Sequence, residues 1–281
     1  MKNGINTLSR CQTALGTFVK IHLSGAHSES ELLEWSTRAF DEIRRIEALM
    51  SFHDPDSELS KINREAHLHP VSISQEMRIV LSLAIELGKI SGGVFDISVA
   101  PELVKRGLLP EQARELPSQG NWASIHISGS HAEFDTPLLL DLGGIAKGYA
   151  VDRALSVLPP GIDAEINAGG DVGMSPWPNK DILVRLPGNS GMAIQVEMLR
   201  NAIATSGIDF LEGGHHIIHP HTKTPIEEHR SVSVFAPTCM LADALTKVAW
   251  MGEASHPILD HYGACALLID NTGKCQWVGV D

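Results

Sequence analysis

Cysteine, positive charge and long apolar runs are all scarce in this chain of 281 residues, and each scarcity closes off a class of protein. The four cysteines stand at 11, 239, 265 and 275 with no Cys-x-x-Cys spacing. They are too few to staple a chain of this size and are expected to be reduced thiols. Lys and Arg number 22 against 34 Asp and Glu, a net charge of -12, which disfavours nucleic acid or an anionic membrane as the main partner. A local phosphate site is compatible with that balance. No apolar run approaches the roughly 20 residues that span a bilayer. The opening Met1-Lys-Asn-Gly-Ile-Asn-Thr-Leu-Ser-Arg-Cys11 has no apolar h-region, so Cys11 does not read as a lipidated cysteine. The chain as it stands is expected in the cytoplasm, or in the periplasm if the natural chain begins earlier.

The chain is long enough to bury a substantial core, in one large domain or in two interlocked lobes. Residues 17–23 alternate Val19, Ile21 and Leu23 with Lys20 and His22, the period of a half-buried strand. From Ser28 to Met50 the apolar positions Leu32, Trp35, Ala39, Ile43 and Ile46 recur three or four apart, which predicts an amphipathic helix. A second helix is predicted over Ser74–Ile90, ended by Gly92 and Gly93. Beyond residue 120 short strands are predicted at 124–128, 138–142, 163–167, 182–186, 194–198, 232–235 and 264–269. Two helices interrupt them, opening near Gly143 and near Leu241. Strands that outnumber crossover helices point to an α+β fold with mainly antiparallel sheet.

Several clusters of small and polar residues follow these elements. Asp141-Leu-Gly-Gly-Ile-Ala-Lys-Gly148 reads as a glycine turn and a helix start. Glycines admit close backbone approach, helix N-terminal N–H groups attract phosphate, and Lys147 adds a cation. A plain tight turn with a solvated lysine fits the same pattern; the spacing is neither a Walker loop nor the Rossmann fingerprint. Asn167-Ala-Gly-Gly-Asp171 and Ala204-Thr-Ser-Gly207 offer further turns, the second with hydroxyls able to hydrogen-bond a ligand edge. His215, His216, His219 and His221 invite a metal site, although Pro220 suggests a turn instead. Asp243, near the start of a helix, suits either the helix dipole or Mg²⁺ held against a diphosphate. The stretches 50–63 and 92–101 read as N-caps and turns or as ligand contacts.

Taken in order, Leu15-Gly-Thr17, Asp56-Ser-Glu-Leu-Ser60, Gly93-Val-Phe-Asp96, Asp141 to Gly148, Asn167 to Asp171, Ala204 to Gly207, His216-Ile-Ile with Pro220, and Ala242-Asp-Ala244 resemble the serial signature of the FAD:protein FMN transferases. These are the ApbE-like proteins, once described as thiamine-biosynthesis lipoproteins. The resemblance implies one α+β domain over residues 1–281, made of two interlocked lobes. It also implies FAD as substrate, Mg²⁺ near the diphosphate, and transfer of FMN to a Thr or Ser hydroxyl of an acceptor flavoprotein with release of AMP. Carried over by position, Leu15, Phe52, Val94, Phe95, Asp96, Asp141, Lys147 and Ile218 would line FAD. Gly144 would give a carbonyl and Asp243 a carboxylate to Mg²⁺, and His216 matches the catalytic histidine.

Two departures fall on the metal and acceptor side. Where the family usually reads Asp-Ala-x-x-Thr this chain has Lys247, with Thr246 one position early, about 100° around the helix. Where it reads His-Ile-Ile-Asp-Pro-x-Thr-Gly, this chain has His219 and Lys223. An ammonium cannot ligate Mg²⁺, and beside Asp243 it can replace the cation electrostatically. The alternative expectation is therefore an FAD-binding protein without transferase activity.

Overall fold

The structure, a computed structural model, describes residues 4–111, 117, 120–176, 180–188, 191–207, 217–226 and 229–280. The chain opens with β1 (Asn6–Ala14), β2 (Thr17–Gly25), α1 (Glu29–Met50) and α2 (Glu58–Glu65). Then come β3 (Val71–Ser72), α3 (Gln75–Ile90), α4 (Ala100–Lys105), β4 (Ile125–Ser128) and β5 (His131–Phe134). They are followed by α5 (Ala146–Ser156), β6 (Asp163–Ala168), β7 (Asp171–Ser175), β8 (Asp181–Arg185), β9 (Ala193–Glu197) and β10 (Ala202–Gly207). After these lie β11 (Ile218–His219), β12 (Thr224–Pro225), β13 (Arg230–Ala236), α6 (Cys239–Ala249), α7 (His256–His261), β14 (Cys265–Asp270) and β15 (Cys275–Val278). Packing divides the chain into two units, one built from 1–47, 147–207 and 230–281, the other from 48–146 and 208–229.

The first unit is organised on an eight-stranded sheet in the order β1-β2-β6-β7-β10-β13-β14-β15. Every neighbouring pair is antiparallel, as the sequence pattern predicts. Strand alternation separates two faces. Met174, Ile203, Phe235, Leu267 and Ile269 form a core on one face together with Val184 and Met198, and Ile182, Ile194 and Val196 of the β8–β9 hairpin pack against it. On the opposite face Gly173 lies beneath α5, where a Cβ would stand 2.8 Å from Val151 Cγ1 and Leu155 Cδ1. Helix α6 packs over β7, β10 and β13. Its N-terminus is held by Thr238, whose hydroxyl accepts from the Leu241 N–H, and by Asp152, whose carboxylate accepts the Cys239 and Met240 N–H groups at 2.8 Å each. Asp243 therefore sits in the second turn of α6, and the dipole-capping role falls to Asp152 and Thr238. Cys11 is exposed in mid-strand, opposite Lys20.

The second unit contains the small sheet β3-β5-β4, the β11–β12 pair, and α2, α3 and α4. The 50–63 stretch contains an N-cap, Ser57 Oγ accepting from the Ser60 N–H, and the helix predicted from Ser74 begins with Ser74 Oγ accepting from the Met77 N–H. Helix α3 ends where Gly92 and Gly93 take φ of +62° and +85°, a region that favours glycine. The strand predicted at 138–142 does not form. Leu138, Leu139 and Leu140 are buried outside any strand, and the Asn63 side chain hydrogen-bonds the Leu140 main chain. Its Nδ2 donates to the Leu140 carbonyl at 3.0 Å and its Oδ1 accepts the Leu140 N–H at 2.8 Å. The next N–H, of Asp141, donates to the Ile97 carbonyl at 2.8 Å.

Replacing Asn63 by Ala is expected to orphan both buried main-chain groups of Leu140, at a cost of roughly 1–3 kcal/mol for each group. Urea unfolding of Asn63→Ala should show a lower midpoint with an unchanged slope; an unaltered midpoint would show that the amide carries no stability.

Candidate functional site

In the first unit the expected site residues Leu15, Lys147 and Asp243 gather at one end of the sheet. Pairing of β2 with β6 sets Val19 opposite Ala168, so the turn after Ala14 lies beside the Asn167–Asp171 turn. A Cβ on Gly169 would meet Thr17 Oγ1 at 2.6 Å. Leu15 has φ +55°, a strained region for a branched side chain, and its N–H is anchored on Glu47 Oε1 at 2.7 Å.

Next to these turns is a cluster of four charges. Lys147 Nζ lies 2.8 Å from Asp171 Oδ2 and 3.4 Å from Asp243 Oδ2. Lys247, one helical turn beyond Asp243, places Nζ 2.9 Å from Asp243 Oδ1 and 3.1 Å from the Asp243 carbonyl. The carboxylate side chains are 6% (Asp171) and 2% (Asp243) exposed, the lysines 29% (Lys147) and 24% (Lys247), so the acids are the more deeply buried members of the cluster. Burial opposes ionisation of Asp243, yet Lys147 and Lys247 together outweigh it and hold the carboxyl below its usual range. Asp171 is pushed the other way, first by burial and then by the Asp243 charge. Burial also works against the Lys147 ammonium, but the two carboxylates dominate and fix it as a cation. Burial drives the Cys239 thiol far up, which removes it as a nucleophile at neutral pH.

This cluster bears on two groups of donors. The Gly148 N–H, in the first turn of α5, donates to Asp243 Oδ2 at 3.3 Å, so part of the helix start expected to meet phosphate is spent inside the protein. Thr246 is fully buried, its hydroxyl donating to the Asp243 carbonyl at 2.7 Å and paired with Ser206 Oγ at 2.8 Å. Mg²⁺ requires about six oxygen ligands at roughly 2.0–2.1 Å. Asp243 offers both oxygens already hydrogen-bonded by cations or N–H, and position 247 brings a positive charge in place of an oxygen. The donor set at Asp243 does not fit Mg²⁺.

The remaining expected residues belong to the second unit. Phe52 and Phe95 are buried, Val94 and Asp96 half-buried. Asp96 Oδ1 accepts the Ser98 N–H at 2.8 Å and caps a short 3-10 turn, and the Ile97–Asp141 hydrogen bond brings Asp96 and Asp141 onto adjoining segments. A Cβ on Gly143 would stand 3.0 Å from Asp141 Oδ2, so the carboxylate lies beside the glycine turn that contains Gly144. Ile218 is buried in β11, and the turn after it brings His221 to the 93–96 segment: a Cβ on Gly93 would meet His221 Cε1 at 3.2 Å. His215 and His216 lie outside the described residues. The His219 and His221 rings are 5.7 Å apart, and among the described residues no group of three His, Cys, Asp or Glu is placed to hold a metal ion.

Asp171 and Ser206 were not among the expected site residues. Asp171 was legible as the acid closing a glycine turn. The Ser206 hydroxyl was legible as part of a turn, but its pairing with Thr246 depends on strand alternation in β10.

With a glycine-turn sheet end and a fixed cationic cluster in place, the comparisons with known proteins are specific. The model of the ApbE family matches residues 15–264, and the chain belongs to that family. It is 31% identical over 239 residues to the FAD:protein FMN transferase of Haemophilus influenzae, covering 73% of this chain and 68% of the relative. The FAD:protein FMN transferase of Escherichia coli K12 is 28% identical over 265 residues, covering 82% and 74%. Among solved structures, the ApbE protein of Thermotoga maritima aligns with TM-score 0.82 at 24% identity over 96% of both chains. The flavin transferase ApbE of Vibrio cholerae aligns with TM-score 0.79 at 25% identity over 98% of this chain and 97% of the other.

Substituting Lys147 by Met leaves Asp171 and Asp243 facing each other without their shared cation. Removing one partner of a buried pair costs about 3–5 kcal/mol. In that variant the folded-state carboxyl pKa rises above the unfolded value, so the folded state binds the extra proton and stability should recover as pH falls from 8 towards 5. Wild type should show a smaller rise over that range, because Asp171 alone is raised there while Asp243, held below its usual range, contributes stability that is lost only as pH falls further. Denaturant midpoints of both proteins across the range test this; parallel profiles would refute it.

Proposed function

We propose that this protein is an FAD:protein FMN transferase, moving FMN from FAD to a Thr or Ser hydroxyl of an acceptor flavoprotein. The observation that carries this reading is the pair of lysines, Lys147 and Lys247, fixed on one buried carboxylate, in a chain whose relatives bear that name over most of their length. Phosphoryl transfer asks a protein chiefly for positioning and for fixed charge where negative charge accumulates. Leu15, Phe52, Val94, Phe95, Asp96, Asp141 and Ile218 are assigned to FAD, with Lys147 at the diphosphate.

In this reading the acceptor oxygen attacks the flavin-side phosphorus and the bond from that phosphorus to the bridging oxygen breaks. AMP leaves with the bridging oxygen, and the hydroxyl proton passes to His216, the general base assigned by resemblance. Lys147 neutralises charge on the phosphoryl oxygens throughout. Mg²⁺ with Gly144 and Asp243 as ligands was the expectation from the resemblance; because Asp243 is occupied by ammoniums, no step is routed through the metal.

Purified protein incubated with FAD, Mg²⁺ and a flavin-acceptor domain should yield an acceptor that stays fluorescent on a denaturing gel, with one AMP released per label. Lys147→Met is expected to lower labelling by roughly 100-fold or more, the scale of losing one charge-stabilising group. An acceptor that remains unlabelled while the protein retains bound FAD would reduce the assignment to a flavin-binding role.

A further inference from the structure

Lys247 is placed with more precision than a surface ion pair requires. Its Nζ contacts Asp243 Oδ1 at 2.9 Å, the Asp243 carbonyl at 3.1 Å and Ser206 Oγ at 3.4 Å. The i,i+4 relation on α6 sets the register, and Ser206 is itself fixed by Thr246. Asp243 Oδ2 is meanwhile shared between Lys147 and the Gly148 N–H. Asp171 and Asp243 face Lys147 and Lys247, so two carboxylates meet two ammoniums and the cluster is balanced within the chain. A divalent ion approaching Asp243 would have to displace an ammonium and then remain beside its charge. An ammonium carries three donors and no lone pair, so position 247 adds nothing to a metal's ligand set. The long Ser206 contact is the weakest of the three, and a phosphate oxygen can take that hydrogen while the other two hold the side chain in place.

We propose that Lys247 takes the place of a divalent cation on Asp243, a tethered positive charge that lets this protein bind the diphosphate of its flavin nucleotide without metal. The nucleotide part of this inference rests on the transferase reading; the metal part does not. Both lysines then present positive charge to one diphosphate, and Asp243 acts as a positioning residue through them.

Two measurements test it. In the first, Mn²⁺ is titrated into wild type, Lys247→Thr and the double variant Lys247→Thr/Asp243→Asn, and the free ion is followed by electron paramagnetic resonance. Wild type should leave Mn²⁺ free; Lys247→Thr, which restores an oxygen donor, should bind one equivalent, and the double variant should lose it. Wild type that binds one equivalent through Asp243, or a Lys247→Thr protein that leaves Mn²⁺ free, overturns the proposal. In the second, FAD affinity is read from quenching of flavin fluorescence in EDTA and in Mg²⁺. Wild type and Lys247→Arg should change less than about threefold between the two, whereas Lys247→Thr should weaken at least about tenfold in EDTA and recover with Mg²⁺. A tenfold Mg²⁺ requirement in wild type overturns the proposal. Wild type that binds no FAD in either condition counts against the transferase reading, and the Mn²⁺ titration then decides the role of Lys247 by itself.

Discussion

The cationic cluster depends on how closely two helices approach. Helix α5 meets the start of α6 at Gly148, where a Cβ would stand 2.2 Å from the Cys239 carbonyl oxygen and 2.8 Å from Met240 Cα. Backbone atoms cannot swing aside as a flexible side chain can, so only glycine permits this contact. Asp152 locks the same pair from one turn further along α5 by capping α6. With the helices pinned at two points, Lys147 at the head of α5 is brought to Asp243 in the second turn of α6. The glycine that looked like part of a ligand-binding turn is, in this structure, a helix-packing residue whose consequence is electrostatic.

Burying two carboxylates near each other is unfavourable unless each is compensated, and a half-compensated cluster is worse than none. The compensation here comes from separate places in the chain: Lys147 reaches both acids from α5, Lys247 reaches one from α6, and the Gly148 N–H supplies a further donor. Because the acids are buried more deeply than the lysines, the arrangement works as a cation mount. The carboxylates hold the ammoniums in fixed positions, and the ammoniums present charge outward at little further cost in reorganisation.

Much of the fold was legible. The three- and four-residue spacing from Leu32 to Met50 matches α1, the Ser74 and Gly92 boundaries match α3, and the antiparallel character of the sheet followed from the ratio of strands to helices. The errors have physical causes. Leu138 to Leu140 have the apolarity of a strand, but what pairs with the Leu140 main chain is the amide of Asn63, 77 residues away, and no local pattern encodes that. Strand β10 was obscured by its hydroxyls, because Thr205 and Ser206 read as turn residues until Ser233 and Thr246 are seen to pair with them. Strand β1 exposes one face along nearly its whole length and so carries little hydrophobic signal. In the site, Lys247 was legible through its i,i+4 spacing from Asp243, whereas the joint hold of Asp171 and Asp243 on Lys147 required the sheet register.

The two units are interleaved along the chain, the first in three pieces and the second in two. During synthesis, β2 emerges early but its sheet neighbour β6 follows only after more than a hundred residues, most of which belong to the other unit. The interior strands β13 and β14 come near the very end. Such long-range closures slow folding. The hairpin β1–β2 therefore waits with an open edge, and Lys147 is made well before the helix carrying Asp243 exists. The charge cluster is thus among the last features to form on a nascent chain, so a molecule truncated before α6 would carry Lys147 held by Asp171 alone.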